Sequence, residues 1–235
     1  MSSIFNNKTC PGGAVHCHTG AGSVSFPEYN TKIEATFNNL YSGGWVSGFL
    51  NWRGCKKGDI VLLNFGLHYN DHNQYNNMMK ILAHDINTYL NSTNHGHLLY
   101  MQTFPQHFRV GSKKAGYFTP HEDQGEGSEI RGKRCAPYHD VNIAHQHDWR
   151  NRIADTYLMN TTAPIIRVSE GLYSQFDAHV DGDSTLTPFH RADCTHYCLH
   201  SAAFDYVHMM TYNHLLLHVP PLSAEPEKVS GSGRY

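Results

Sequence analysis

The chain has 235 residues, which is enough for one domain or a tight pair and for a sizeable buried core. Its 18 Lys and Arg residues against 20 Asp and Glu residues give a net charge of -2, so no basic field attracts the phosphates of a nucleic acid. Charged residues make up only 16% of the chain, and 19 His and 14 Tyr residues favour a hydrogen-bonding surface. No stretch approaches the ~20 apolar residues that span a bilayer. We therefore expect a soluble globular protein with neither a nucleic-acid partner nor a membrane segment in this chain.

Cysteines and sequons bear on the cellular compartment. The six cysteines are dispersed and form no Cys-x-x-Cys pair, a pattern compatible with disulfides in an oxidising lumen. Asn-x-Thr sequons, which are possible glycan acceptors, occur at Asn7, Asn91 and Asn160. The first seven residues have neither a basic start nor an apolar run, so no targeting signal is expected in the chain as given.

The first half of the chain predicts three elements after an irregular start. Spacing of apolar residues favours a helix over residues 29–40. Four adjacent aliphatic residues within 59–66 are typical of a strand buried on both faces, as in a parallel sheet. Apolar residues at steps of four over residues 73–90 predict an amphipathic helix.

The second half continues the alternation of strands and helices. We expect a strand at 97–104, a helix at 141–158, a strand at 163–169 and a helix at 202–219. Residues 109–137 form a long irregular insertion, and the tail 220–235 has the composition of a disordered segment. Strands alternating with helices predict a doubly wound α/β fold around a mostly parallel sheet.

Polar residues follow the first two strands of this sheet, where ligands bind in open parallel sheets. Asn64, Gly66 and His68 come after the first strand, and a second polar cluster that includes His107 comes after the next. His68 and His107 are thus candidates for substrate binding. An ordinary tight turn at Asn64 and Gly66 explains the first cluster equally well, because Asn and Gly are common turn residues.

The densest polar cluster runs from Asp193 to Cys198. Asp193 and His196 are three residues apart and would lie on one face of a helical turn, where the carboxylate could orient an imidazole that activates a serine. In the alternative interpretation Asp193 caps the start of a helix and His196 is partly exposed.

The histidines also raise the question of a metal site. Histidine pairs two residues apart recur, and Cys194, His196, Cys198 and His200 alternate. Structural zinc sites use wider spacings, so we expect neither a metal nor another cofactor.

Four blocks in order resemble one family. The block Asp193-Cys-Thr-His-Tyr-Cys198, preceded by Asp181-Gly-Asp-Ser184, resembles the closing Asp-Gly-His-x-Ser and Asp-Cys-x-His-Trp-Cys elements of the PC-esterase and trichome birefringence-like proteins. The stretch 58–69 is similar to the family's strand ending in Asn-x-Gly-His-Trp, and 103–108 to its Ser-Pro-x-His-Phe block. Cys135 stands where the family has a Gly-Gly-x-Cys element. The chain departs from the family at three positions: Tyr69, Tyr197 and Asp183.

The resemblance implies an SGNH-hydrolase-like fold, a three-layer α/β sandwich, in a single domain over residues 1–219. Such proteins add or remove acetyl esters on cell-wall or glycan polysaccharides, with a carbohydrate substrate and an acetyl donor as partners, in the Golgi or outside the cell. The implied roles are general base for His196, orienting carboxylate for Asp193, oxyanion donor for Asn64 and close loop approach for Gly66. We further expect Cys135 to bond to either Cys194 or Cys198. The alternative function is a non-catalytic descendant that binds glycans.

The family's nucleophilic serine lies in a Gly-Asp-Ser turn after the first strand. No such turn occurs between Met1 and Gly58, and Gly182-Asp-Ser184 follows a stretch too polar for a central strand. We therefore expect that this chain is incomplete at its amino terminus, lacks the first strand and the serine, and is inactive as given. Ser184 as nucleophile is the alternative.

Overall fold

A computed structural model describes residues 20–37, 50, 55–67, 69, 71–107, 135, 138, 144, 148–179 and 194–220. The chain divides into two compact units, residues 1–43 and residues 44–235. The single domain over 1–219 stays a prediction. Much of the insertion 109–137 and nearly all of the tail 220–235 lie outside the described residues.

The first unit contains an antiparallel hairpin. Strand β1 (Gly20–Phe26) pairs with strand β2 (Thr31–Phe37), from Gly20 opposite Phe37 to Phe26 opposite Thr31. The connection is a 3₁₀ turn, Pro27–Tyr29, followed by Asn30 in the left-handed region. The predicted helix over 29–40 is therefore wrong in its described part. Ile33, Ala35 and Phe37 are spaced two apart, which is the period of a strand.

The second unit is built on a parallel sheet, as predicted. Strands β3 (Ile60–Asn64), β4 (His97–Met101) and β5 (Ile165–Ile166) pair in that order, with Ile60 opposite His97 and Tyr100 opposite Ile165. The α/β class with a parallel sheet is thus confirmed.

Helices connect and cover these strands. Helix α1 (His72–Leu90) lies between β3 and β4 and packs against helix α2 (Trp149–Leu158). A short helix α3 (Ser169–Leu172) follows β5, and helix α4 (Ala202–His218) contacts β5. The predicted helices at 73–90 and 202–219 are confirmed, and so is the last part of the helix predicted over 141–158. No helix in the described part of the chain is long and apolar enough to cross a membrane.

Burial of the strands differs from expectation. Strand β4 is buried on both faces. On one face Leu99 and Met101 pack with α3 and α4. On the other face the Tyr100 hydroxyl donates to the Phe65 carbonyl in the turn after β3. Ile60 and Leu62 of β3 are 50% and 48% exposed. The prediction that β3 is buried on both faces is therefore wrong. In the described sheet β3 is an edge strand, and one of its faces remains open.

Candidate functional site

The turn after β3 is tied to the strand beside it. The Asn64 amide nitrogen donates to the carbonyls of Met101 and Gln102, both at 3.0 Å. The carbonyl of Phe65 accepts hydrogen bonds from three buried hydroxyls, at distances of 2.7–3.1 Å, from Tyr75, Tyr100 and Thr103. Burial raises the pKa of both tyrosines, which keeps these phenols protonated as donors. Because the Asn64 amide nitrogen already donates to two carbonyls, donation to an oxyanion would compete with these bonds.

Gly66 allows this turn to pack closely. Its φ of +141° is in the region that favours glycine, and a Cβ there would lie 2.8 Å from both the Thr103 Oγ1 and the Tyr75 hydroxyl. Gly66 therefore lets the turn approach interior hydroxyls of the protein, and its expected role beside an oxyanion stays a prediction.

The segment 102–107, which leaves the carboxyl end of β4, connects this turn to the rest of the site. Asn151 of α2 bonds to both backbone groups of Thr103, accepting from its N–H at 2.8 Å and donating to its carbonyl at 2.9 Å. At the other end of the segment the His107 N–H donates to the Cys194 carbonyl at 3.0 Å. The Gln106 amide donates to the Thr195 hydroxyl at 3.0 Å. The segment thus contacts both the Asn64 turn and the loop that carries His196.

A half-buried carboxylate, Asp148, supports the same segment. Asp148 accepts hydrogen bonds from Asn151, Ser169 and Tyr173 at 2.7–2.9 Å. Burial raises the pKa of Asp148, and these three donors act against the increase. Since Ser169 also contacts Gln102, the network joins α2 and α3 to the end of β4.

Loop 194–198 is held on both sides of His196. The Cys135–Cys194 disulfide fixes one side, and Tyr197 pairs with His179 in an isolated antiparallel bridge on the other. The Cys198 N–H also donates to the Ala178 carbonyl at 2.8 Å. Between these attachments the His196 side chain is exposed.

This loop is not helical. Residues 194–200 form bends, a bridge and a turn, and α4 begins only after Ser201. Both helical interpretations of the Asp193–Cys198 block, as one face of a turn and as a capped helix start, are therefore wrong over its described residues, 194–198. Pairing of Tyr197 with His179 requires extended backbone, which a helix at this point would not supply.

Behind the loop two imidazoles are in contact. His107 Nδ1 lies 2.6 Å from His179 Nε2, and His107 Nε2 lies 3.0 Å from the Tyr173 carbonyl. His179 Nδ1 lies 3.2 Å from the carbonyl of His196. Burial, together with the neighbouring His179, lowers the pKa of His107 to about 4, so His107 is neutral near pH 7.

The structure places the remaining predicted residues as follows. His107 is fully buried with both ring nitrogens against protein atoms, which makes it an interior residue here and not a surface contact for a substrate. Of the two disulfide partners proposed for Cys135, Cys194 is the one observed, and Cys198 is an exposed free thiol. His68, Asp193 and Ser184 lie outside the described residues.

A metal site does not assemble in the described part of the chain. No group of three or more His, Cys, Asp or Glu residues among those residues could hold an ion. Cys194 is bonded to Cys135, which removes it from the alternating series that ends at His200.

Two residues of the site, Asn151 and His179, were absent from the sequence analysis. His179 lies in a polar stretch without strand or helix periodicity, and Asn151 lies within a helix, where an amide gives no local signal. Their contacts join positions 48 and 17 residues apart along the chain. Only the tertiary structure shows such pairings.

Comparisons of the chain with family models, curated proteins and solved structures found no match.

Proposed function

We propose that the chain takes part in acyl-ester chemistry on carbohydrate, as an O-acetyltransferase or acetylesterase of polysaccharides, with His196 as general base. The observation that carries the proposal is an exposed imidazole on a loop attached on both sides, at the carboxyl end of a parallel sheet. A general base must reach the reacting proton and keep its position, and an exposed ring on a held main chain meets both needs.

The roles of the other residues belong to the same proposal. Asp193 orients the His196 ring, and Asn64 donates to the oxyanion in competition with its two carbonyl bonds. Ser184 is the candidate nucleophile within this chain. The fold that goes with these roles is the three-layer SGNH-hydrolase-like sandwich.

The proposed location is the Golgi lumen or the cell exterior. The Cys135–Cys194 disulfide suits an oxidising compartment, and the sequon residues Asn91 and Asn160 are exposed at the ends of α1 and α2. The resemblance implies a carbohydrate as substrate and an acetyl donor as partner, and it covers both the addition and the removal of acetyl esters.

Ligand binding tests the proposal without depending on the nucleophile. Saturation-transfer NMR measures binding of acetylated xylo-oligosaccharide and of its deacetylated form to the full chain. We expect the acetyl methyl group to receive the strongest saturation, and His196→Ala to weaken that contact. His200→Ala is the matched control, because His200 is an exposed histidine four residues further along and should change nothing. Saturation confined to sugar protons and unchanged in His196→Ala would instead favour the glycan-binding alternative.

Acetate release from acetylated xylan forms the second test. We expect no turnover from the chain as given, because the Gly182-Asp-Ser184 turn follows a stretch too polar for the strand that such a turn needs. Turnover that disappears in Ser184→Ala would assign the nucleophile to Ser184 and overturn this expectation. Turnover that persists in His196→Ala would remove His196 as the base. Absence of both turnover and acetyl-dependent binding would overturn the proposed function.

A further inference from the structure

Two buried imidazoles connect the interior of the protein to the main chain of His196. The contacts run in a row from the Tyr173 carbonyl to His107, then to His179, then to the carbonyl of His196, at 3.0, 2.6 and 3.2 Å. His107 is 0% and His179 2% exposed. Buried polar groups of this kind are costly unless hydrogen-bonded, so each contact in the row matters.

Counting protons shows how the row is bonded. A carbonyl only accepts, so the outer nitrogens, His107 Nε2 and His179 Nδ1, must each carry a proton to donate. The contact between the rings needs one further proton, on either His107 Nδ1 or His179 Nε2. The bond from His179 Nδ1 to the His196 carbonyl is the same in both arrangements.

We propose that His179 is a positioning residue for His196: its Nδ1–H holds the His196 carbonyl, while the contact of its Nε2 with His107 Nδ1 fixes the orientation of the ring. The proposal rests on the proposed function in taking His196 as the general base. The Cys194 disulfide and the Cys198 N–H hold the loop at its two ends, whereas the His179 bond acts on the peptide group of His196 itself. Tyr197 packs on the His179 ring with centroids 3.9 Å apart, which keeps that ring in place.

The position of a catalytic side chain depends on the position of its main chain. A displacement of about 1 Å at a reacting group costs roughly a hundredfold in rate. A bond to the His196 carbonyl limits rotation of that peptide plane, and with it the direction of the exposed ring.

Two amide variants separate the two bonds of His179. The amide nitrogen of Asn falls near the position of imidazole Nδ1, and that of Gln falls near Nε2. His179→Asn therefore keeps a donor toward the His196 carbonyl, and His179→Gln keeps the contact with His107. We expect His179→Gln to weaken acetyl-dependent binding of acetylated xylo-oligosaccharide at least tenfold, and His179→Asn to change it less than threefold.

Hydrogen exchange supplies a readout that does not depend on the ligand. The Cys198 amide is bonded to Ala178 just past His196, and the His107 amide is bonded to Cys194 on the other side of the loop. We expect exchange at Cys198 to become at least tenfold faster in His179→Gln, with His107 and helix α1 unchanged. Ring ¹⁵N spectra should show the proton on His179 Nδ1.

The outcomes distinguish the two proposals. Equal effects of the Asn and Gln variants, uniformly faster exchange throughout the sheet, or a wild-type His179 Nδ1 without a proton would each overturn the positioning role. Failure of the proposed function instead appears in the wild-type protein, as absence of acetyl-dependent binding and turnover, while the exchange and ¹⁵N results still hold.

Discussion

At the scale of single residues, the site depends on groups whose chemistry is set by burial. The carbonyl of Phe65 receives three hydroxyl donors, Asn151 satisfies both backbone groups of Thr103, and His107 stays neutral within the interior. Each of these groups would be costly to bury alone. The region behind His196 is therefore a largely hydrogen-bonded polar interior, although the buried Oε1 of Gln106 has no partner among the described residues.

Gly66→Ala should destabilise the protein strongly. The new Cβ would lie 2.8 Å from the Tyr75 hydroxyl and the Thr103 Oγ1, at a φ that L side chains rarely adopt. We expect the free energy of unfolding to fall by roughly 2–4 kcal/mol, from backbone strain and overpacking together. Urea unfolding of the variant and of the wild type measures this difference in free energy.

A double-mutant cycle with Tyr75→Phe serves as the control for the glycine. Removing the hydroxyl relieves part of the overlap, so Tyr75→Phe should cost less in the Gly66→Ala background than in the wild type. Equal costs in both backgrounds would mean that the predicted overlap does not occur.

The buried pair should make stability depend on pH. The pKa of His107 is lowered in the folded state to about 4, so the unfolded chain binds more protons than the folded one between pH 4 and pH 6.5. Stability must therefore rise with pH across this window and be lost as the pH falls through it. The contribution of His107 is at most roughly 3 kcal/mol.

Comparison with His107→Gln isolates this contribution from the other titrating groups. The Gln side chain keeps a nitrogen near the position of Nε2 and does not titrate. The free energy of unfolding of the variant, measured from pH 4 to pH 6.5, should vary less steeply than that of the wild type. A variant with the same slope would show that His107 titrates normally in the folded protein.

At the scale of secondary-structure elements, the two apolar strands have different environments. Strand β4 is buried on both faces, whereas Ile60 and Leu62 of β3 lie at an open face. The sequence of β3 is the more aliphatic of the two, so composition predicts the wrong order of burial for these strands. Strand position in the sheet decides burial, and position depends on pairing between distant segments.

Matched leucine truncations test this difference. Leu99 of β4 is 1% exposed and Leu62 of β3 is 48% exposed. Leu99→Ala should lower the free energy of unfolding by about 2–5 kcal/mol, because it leaves a cavity. Leu62→Ala should cost less than about 1 kcal/mol, because this half-exposed side chain buries little apolar area on folding. Similar losses in the two variants would show that β3 is covered in solution.

At the scale of the whole molecule, one covalent bond links distant parts of the chain. The Cys135–Cys194 disulfide joins residues 59 positions apart and attaches the loop of His196 to the far end of the insertion. In the chain-entropy account, closure of a loop of this length stabilises the fold by roughly 4 kcal/mol.

Removal of this disulfide should lower both stability and order at the site. We expect Cys135→Ser with Cys194→Ser to decrease the free energy of unfolding by roughly 2–5 kcal/mol. Cys198→Ser is the control, because Cys198 is an exposed free thiol in the same loop and should change stability by less than about 0.5 kcal/mol. Peptide mapping without reduction checks the pairing, and a Cys135–Cys198 peptide would contradict the structure.

The sequence alone determined the features that depend on local pattern. Periodicity and turn residues predict helix α1, helix α4 and the parallel pairing of three strands. The motifs that resemble the family go with the expectation that Cys135 bonds to one of two cysteines. Sequence-based prediction fails where two local patterns compete. The apolar residues of β2 fit a helical spacing as well as the two-residue period of a strand, and the structure is a strand. The Asp193–Cys198 block fits a helical turn, but Tyr197 pairs with His179.

Tertiary structure decided which polar groups meet. The row from Tyr173 through His107 and His179 to His196 brings together four positions from three separate segments. Imidazole gives no periodic signal, and a buried histidine has the same letter as an exposed one. Burial, tautomer and hydrogen-bond partner exist only once distant segments are packed together, because desolvation and directional bonding depend on the neighbours in space.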